Sequence, residues 1–406
     1  MNEIIFLGGI LLDSQIAEIE INSKIPLENA ADSLQRSFLK GMVLNTSAEL
    51  KLINIPFIGS FPRAYKKFMF PAVTDLLFGK IPVLGMKFNN IAVFRNWSRR
   101  RAAYRALNNI ITTDKSAVIV IYSAHLPFIR AAISYRKKNT KTRICLIVPD
   151  FIQHMADYQG FRRVIAHREA DRFESLLPEV DYFVTLTSHM AEKMNLRGKN
   201  YVVIEGMHDG EPDEFDNAWP GEAGPIFIYT GTLEKRYGIL DLLAAFSQLK
   251  TPSAQLWICG DGDARAAVED LARRDARVTY YGRVPRATAL ALQARAHVMV
   301  NPRRPEGEFT RYSFPSKTME YLASGRPVIM HWLPGIPEEY RPWLITPETG
   351  DAAGLAATMA EVTARPTAEL QRIGAAGRAF VLNQKSPRIQ VGRLLDGLFP
   401  DRTGTD

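Results

Sequence analysis

Residues 225–249 read PIFIYTGTLEKRYGILDLLAAFSQL. The run 225–230 is continuously apolar and of strand length, Gly231 permits a tight turn, and 238–249 carries apolar residues at helical spacing. A strand apolar on every residue is buried on both faces, which is the condition of a parallel sheet covered by helices. The same unit recurs downstream. Strands are predicted at 255–259, 278–281, 297–300 and 327–330, and helices at 264–273, from about 286, at 314–323 and over most of 352–398.

Upstream the alternation is similar. Residues 4–7 read as a first strand running into Gly8-Gly9, and 117–122 (AVIVIY), 143–148 (RICLIV) and 182–186 (YFVTL) as further strands. Helices are predicted at 126–138, at 162–177 and from Ser188. Between 207 and 224 the periodicity vanishes into HDGEPDEFDNAWPGEAG, acidic and rich in Pro and Gly, as a linker is. The predicted class is therefore α/β, with two doubly wound, Rossmann-like domains facing across a cleft. Their bounds are 1–206 and 225–385, the linker is 207–224, and a helix and tail over 386–406 can return to the first domain. Lys, Asn and Ile are frequent before the linker, Ala and Arg after it.

A chain of 406 residues is long for one core, in keeping with two domains. Its 46% apolar and 23% charged content excludes disordered and fibrous classes. Cys145 and Cys259 each sit in an apolar run with no partner at metal-ligand spacing, so they read as core residues. The start lacks a basic patch and a cleavage site, and no uncharged run is long enough to span a bilayer. These features predict a cytoplasmic protein.

The net charge of +8 is concentrated. Between Pro56 and Arg105 stand ten Lys and Arg against Asp75 alone, interleaved with aromatic residues from Phe57 to Trp97. Nucleic acid is set aside because no recognition motif accompanies the charge. A solvated basic face accounts for the charge but not for the apolar residues. Contact with an anionic membrane surface accounts for both, because apolar burial and attraction to anionic lipid add. The predicted location is peripheral, on the inner face of the cell membrane.

Three places in the second half carry chemistry. In 229–238 (YTGTLEKRYG) a strand ends at a glycine turn, where backbone N–H groups and Lys235 or Arg236 suit phosphate oxygens. An ordinary strand-to-helix turn would carry the same residues. In 313–321 (SFPSKTMEY) Pro315 and Ser316 open a helix, so an anion there meets free amides, the helix dipole and Lys317. Glu320 lies one turn further in, placed to accept from ribose hydroxyls. In 259–263 (CGDGD), Gly260 follows a strand, and Asp261 and Asp263 read as caps rather than metal ligands. The next turn, at Arg283-Val284, suits the wall of a flat base.

Taken in order, these motifs resemble the family-4 retaining glycosyltransferases, GT-B enzymes of polysaccharide and glycolipid assembly. Asn301-Pro302-Arg303 and GRPVI at 325–329 extend the resemblance, which covers about 225–329. The form YSFPSKxxEY is similar to the branch used for capsules and exopolysaccharides. The resemblance implies that Glu320 binds the donor ribose and that Gly231, Thr232, Gly260, Arg283, Val284, Ser316 and Lys317 line the donor. Two departures stand out. The family's first glutamate is replaced by Tyr312, with Glu308 nearby as a substitute. The family's Arg and Lys after the first turn are replaced by Thr232 and Tyr237, leaving Lys235 and Arg236 as stand-ins.

In the first half, His125 follows a strand where relatives place a histidine facing the transferred sugar, and a structural role is the competing reading. Asp150, at another strand end, suits donor or acceptor hydroxyls, and Gly8 and Gly9 would let the backbone approach the diphosphate. The implied reaction moves a hexose-type sugar from a nucleotide diphosphate, most simply a UDP-sugar, to a lipid-linked or oligosaccharide acceptor. Configuration is retained through same-face attack guided by the leaving phosphate, with no metal or other cofactor. Competing readings are a non-catalytic sugar-nucleotide-binding protein, to which Tyr312 lends weight, and a GT-B epimerase or phosphorylase.

Overall fold

The computed structural model describes residues 3–111, 116–151, 161–210, 219–221 and 224–400, with 161–166 described by their backbone alone. The chain divides into two compact units, Met1–Met207 with Pro387–Asp406, and His208–Ser386. Within the predicted linker, 211–218 and 222–223 lie outside the described residues.

The first unit is built on an eight-stranded sheet. Its strands are β1 (Glu3–Gly8), β2 (Glu49–Asn54), β4 (Val73–Leu77), β5 (Ile81–Gly85), β7 (Ala117–Tyr122), β8 (Arg143–Val148), β9 (Tyr182–Thr185) and β10 (Asn200–Val203). The order is β10-β9-β8-β7-β1-β2-β5-β4, parallel except for the β4–β5 hairpin at one edge. A small antiparallel pair, β3 (Met69–Phe70) and β6 (Phe88–Asn89), stands beside it. β1 and β7 are buried at every residue, which is why they are apolar throughout except for Glu3, which Lys51 pairs. β4 and β5 are half exposed and carry Thr74, Asp75 and Pro82, so no apolar run announces them.

The helix Pro387–Leu398 belongs to this first unit. Val391, Leu394, Leu395 and Leu398 share a core with Phe38, Leu39 and Met42 of the helix Asn29–Asn45. The two backbones approach so closely that a Cβ on Gly41 would lie 2.4 Å from the Pro387 carbonyl oxygen.

The stretch 56–105 does not form a single outward face. Tyr65, Phe70, Phe88 and Arg99 are buried, whereas Phe68, Val93, Phe94, Trp97, Arg100 and Arg101 are exposed. The helix Ala92–Ile110 accounts for the split: Arg95, Arg99, Ala102, Ala103 and Ala106 turn inward. The expectation that Arg99 faces a membrane is therefore corrected. Three- and four-residue spacing puts it on the core side.

The second unit holds five parallel strands, β11 (Ile226–Thr230), β12 (Gln255–Cys259), β13 (Val278–Gly282), β14 (Val298–Asn301) and β15 (Val328–Met330), in the order β13-β12-β11-β14-β15. The helix predicted at 314–323 begins at Lys317, because Pro315 lacks an N–H and its carbonyl receives the Thr318 amide at 2.8 Å.

Candidate functional site

The second unit gathers its polar residues at the carboxyl end of β11. The Tyr321 hydroxyl accepts from the Thr230 N–H at 2.8 Å and donates to the Thr230 carbonyl at 3.0 Å, pinning the strand end just before Gly231. Tyr321 is fully buried, so the helix Lys317–Ala323 is anchored to that strand by a desolvated bond. Gln293, also fully buried, donates through Nε2 to Thr230 Oγ1 and to Glu320 Oε1, both at 2.8 Å. Lys317 Nζ donates to the same Glu320 oxygen at 2.8 Å. Burial alone would raise the Glu320 carboxyl, but the Lys317 charge and the bonds from Lys317 and Gln293 outweigh it and hold the carboxyl below its ordinary range. Both bonds fall on Oε1, so among the described residues Oε2 keeps its acceptor capacity for a ligand.

The glycine turns are set by packing. Gly260 has φ +146°, and a Cβ there would lie 1.8 Å from the Gly231 carbonyl oxygen. The Gly231 amide donates to Cys259 O, Leu233 to Asp261 O, and Lys235 to Asp263 Oδ1. This narrows the expectation of an amide cradle at 231–236, because the amides of Gly231, Leu233 and Lys235 already serve the fold. Asp263 caps the Lys235 turn and Asp261 accepts from the Gly262 amide at 2.9 Å. Among the described residues no three His, Cys, Asp or Glu side chains converge as a metal site.

Arg236 is likewise committed elsewhere. It is exposed, paired with Glu234 and laid over the Tyr237 ring at 5.1 Å. Lys235 and Thr232 are exposed. The cation that the structure brings beside this turn is Arg303, which follows β14. Its guanidinium lies 5.3 Å from the Tyr237 ring centre and 4.7 Å from that of Phe309, donates to Ser313 Oγ at 3.0 Å, and leaves Nε unpartnered. Burial lowers its proton affinity. Sequence reading quoted Arg303 within a motif without giving it a role, and missed Gln293. The only signal for Arg303 was its place at a strand's carboxyl end.

Glu308 is exposed and accepts from the Tyr312 hydroxyl at 3.1 Å, so the two side chains that share the departed position touch. Arg283 and Ser316 are exposed, and Val284 is half-buried against the core.

In the first unit the candidates sit at the ends of the adjacent strands β1, β7 and β8. His125 precedes the helix Leu126–Arg136, with Phe128 and Phe57 edge-on at 4.5 and 5.6 Å between ring centres. Burial, then the charges of Arg99 and Arg95, hold it well below its ordinary range, so it is neutral, and its buried Nε2 has no partner among the described residues. Asp150 keeps much of its surface in reach of solvent, yet surrounding protein and then the charge of Glu28 raise its carboxyl to about 6. The room beside Gly8 and Gly9 is filled. Their added Cβ atoms would meet Gln35 Oε1 at 2.4 Å and Ile55 O at 2.6 Å. The amides of Gly9, Ile10 and Leu11 are satisfied by Gln35, Asn54 and Asp32, so the open backbone approach expected at Gly8-Gly9 is replaced by an internally bonded turn.

Comparison with known proteins agrees with this architecture. Residues 224–365 match the family Glycosyl transferases group 1. No curated protein matches the chain by sequence. Among solved structures, sucrose-phosphate synthase from Thermosynechococcus elongatus is similar at 16% identity and TM-score 0.61, over 98% of this chain and 100% of that one. A UDP-forming α,α-trehalose-phosphate synthase from Burkholderia xenovorans gives 11% identity and TM-score 0.66, over 100% of both chains. The Anabaena protein HepE in complex with UDP gives 14% identity and TM-score 0.61, over 99% of this chain and 100% of that one. The chain has the GT-B fold, and its second unit carries the group 1 glycosyl transferase sequence pattern.

Proposed function

We propose that the protein is a retaining glycosyltransferase that moves a hexose-type sugar from a UDP-sugar to a lipid-linked or oligosaccharide acceptor in polysaccharide assembly. The observation that carries this reading is the Glu320–Lys317–Gln293 cluster at the end of β11, inside the segment matched by the family. A carboxylate held ionised, with one oxygen engaged and the other free, suits the paired hydroxyls of a ribose. The Anabaena structure with UDP is consistent with a uridine donor.

As the bond to the anomeric carbon breaks, negative charge grows on the diphosphate and positive charge on the sugar. Lys317 and Arg303 are the cations placed to meet the former, and two preorganised cations there leave no step that requires a divalent metal. His125, neutral and with Nε2 unpartnered among the described residues, offers one hydrogen bond to the substrate, and Asp150 accepts from a substrate hydroxyl. Glu308, held by Tyr312, takes the place of the family's first glutamate. UDP release from UDP-sugars, with the product's anomeric configuration read by NMR, tests the reading. UDP binding without turnover on any acceptor would establish a binding protein instead. Activity is expected to persist in excess EDTA, and rescue by a divalent cation after loss would refute metal independence.

The lipid-linked acceptor is supported by the outer face of the helix Ala92–Ile110. Val93, Phe94 and Trp97 are 84%, 58% and 61% exposed, and Trp97, Arg100, Arg101, Tyr104, Arg105 and Ser134 line a groove of about 500 Å³. Apolar side chains beside guanidinium groups that no carboxylate pairs among the described residues suit an anionic bilayer surface, here the inner face of the cell membrane. No helix among the described residues is long and apolar enough to cross a membrane.

A further inference from the structure

The inner face of that same helix presents a different chemistry. Arg95 and Arg99, one turn apart, point into the first unit beneath the loop that follows β2. Arg99 is 2% exposed, donates to the Pro56 carbonyl at 2.8 Å and lies 4.8 Å from the centre of the Phe88 ring. Arg95 is half-buried and reaches the Ile58 carbonyl at 3.4 Å. Among the described residues no carboxylate pairs with either, and Glu169 acts on Arg95 only through space. The Nε atoms of both, and Nε2 of His125, are buried without a hydrogen-bond partner. Burial and the neighbouring Arg95 push Arg99 down to about 9.

A buried arginine beside a half-buried one is costly unless the charges are paired, and folded proteins neutralise such groups or pair them. Here the two guanidinium groups, without a paired carboxylate among the described residues, stand at the carboxyl ends of β2 and β7, the edge of a parallel sheet where ligands bind. Phe57, from the same loop, packs against both Tyr122 and His125, so the loop joins the two strand ends.

We propose that Arg95, Arg99 and His125 form a binding site for a phosphoryl group of the acceptor. This deepens the reading above by giving the acceptor a phosphate ester or diphosphate. Arg95, in reach of solvent, supplies the fork of donors. Arg99 supplies charge from behind, and neutral His125 donates through Nε2. The phosphoryl group comes either from a polyprenyl diphosphate or from a soluble sugar phosphate.

The test uses the full chain with UDP saturating, so that any diphosphate seat in the second unit is filled. Inorganic pyrophosphate is titrated in and the melting temperature followed. Wild type is expected to gain stability, and Arg95→Gln to bind pyrophosphate about tenfold or more weakly with its UDP-induced shift intact. Arg95→Lys, which keeps the charge without the fork, is expected to fall between them. Displacement of pyrophosphate by a short-chain polyprenyl diphosphate or by a soluble sugar phosphate assigns the source. No pyrophosphate-dependent shift in wild type, or an equal one in Arg95→Gln, overturns the site. Failure of UDP alone to shift wild type strikes the donor reading instead, and the pyrophosphate titration still decides this one.

Discussion

Replacing Glu320 by Gln removes one charge and almost no volume from the network at the end of β11. Hydrogen bonds to an ionised group contribute about 1.5–3 kcal/mol, so losing the charge at the ribose should weaken UDP binding about 10- to 150-fold. The amide retains one acceptor, which places the expectation toward the lower end. The fold should survive, since the Lys317 side chain is 39% exposed and returns to water, while Gln293 keeps its bond to Thr230. The stability change is expected to be on the order of 1 kcal/mol, a shift of about 2–4 °C in melting temperature. The pH dependence gives an independent reading. A carboxyl held below its ordinary value of 4.5 adds stability that is present above that value and is lost as pH falls through the folded-state value. The stability of Glu320→Gln should therefore fall less steeply on acidification below about pH 4.5. UDP titration followed by melting temperature and UDP release under turnover are the assays. UDP affinity within about threefold of wild type, in a variant that melts normally, would remove Glu320 from the donor site.

Gly260→Ala is expected to cost more than about 3 kcal/mol, since the new Cβ would overlap the Gly231 carbonyl and φ +146° is closed to alanine; a soluble variant melting near wild type would contradict the packing account. Asp150, raised from 3.8 to about 6, holds stability that is fully present below pH 3.8 and lost as pH rises through about 6, so Asp150→Asn should exceed wild type in melting temperature at pH 7.5, with the advantage shrinking on acidification and gone below pH 3.8. Co-sedimentation with anionic liposomes should weaken in Trp97→Ala and in the pair Arg100→Glu, Arg101→Glu; equal binding to neutral and anionic liposomes would leave only a solvated face.

The sequence alone carries the α/β class, the parallel strands and the succession of elements along the second unit. Those features rest on local patterns, namely the buried runs IFIYT and AVIVIY and the glycine turns that follow strands. It also marked Lys317 and Glu320, three residues apart on one helix face. Only the tertiary structure decided which oxygen of Glu320 is engaged, because Gln293 comes from a helix 27 residues away. Likewise Arg236, basic and well placed in the sequence, is paired with Glu234, while Arg303 reaches Tyr237 from the end of the neighbouring strand β14. The basic stretch 56–105 divided in the same way. Charge and aromatic content are visible in composition, but whether a given arginine faces water or a core depends on its azimuth on the helix and on what packs there. Helical periodicity places Arg95 and Arg99 together. That Arg99 is buried and Arg95 half-buried, with carbonyl oxygens and no paired carboxylate among the described residues, follows from the Pro56–Ile58 loop, which folds over them from another strand.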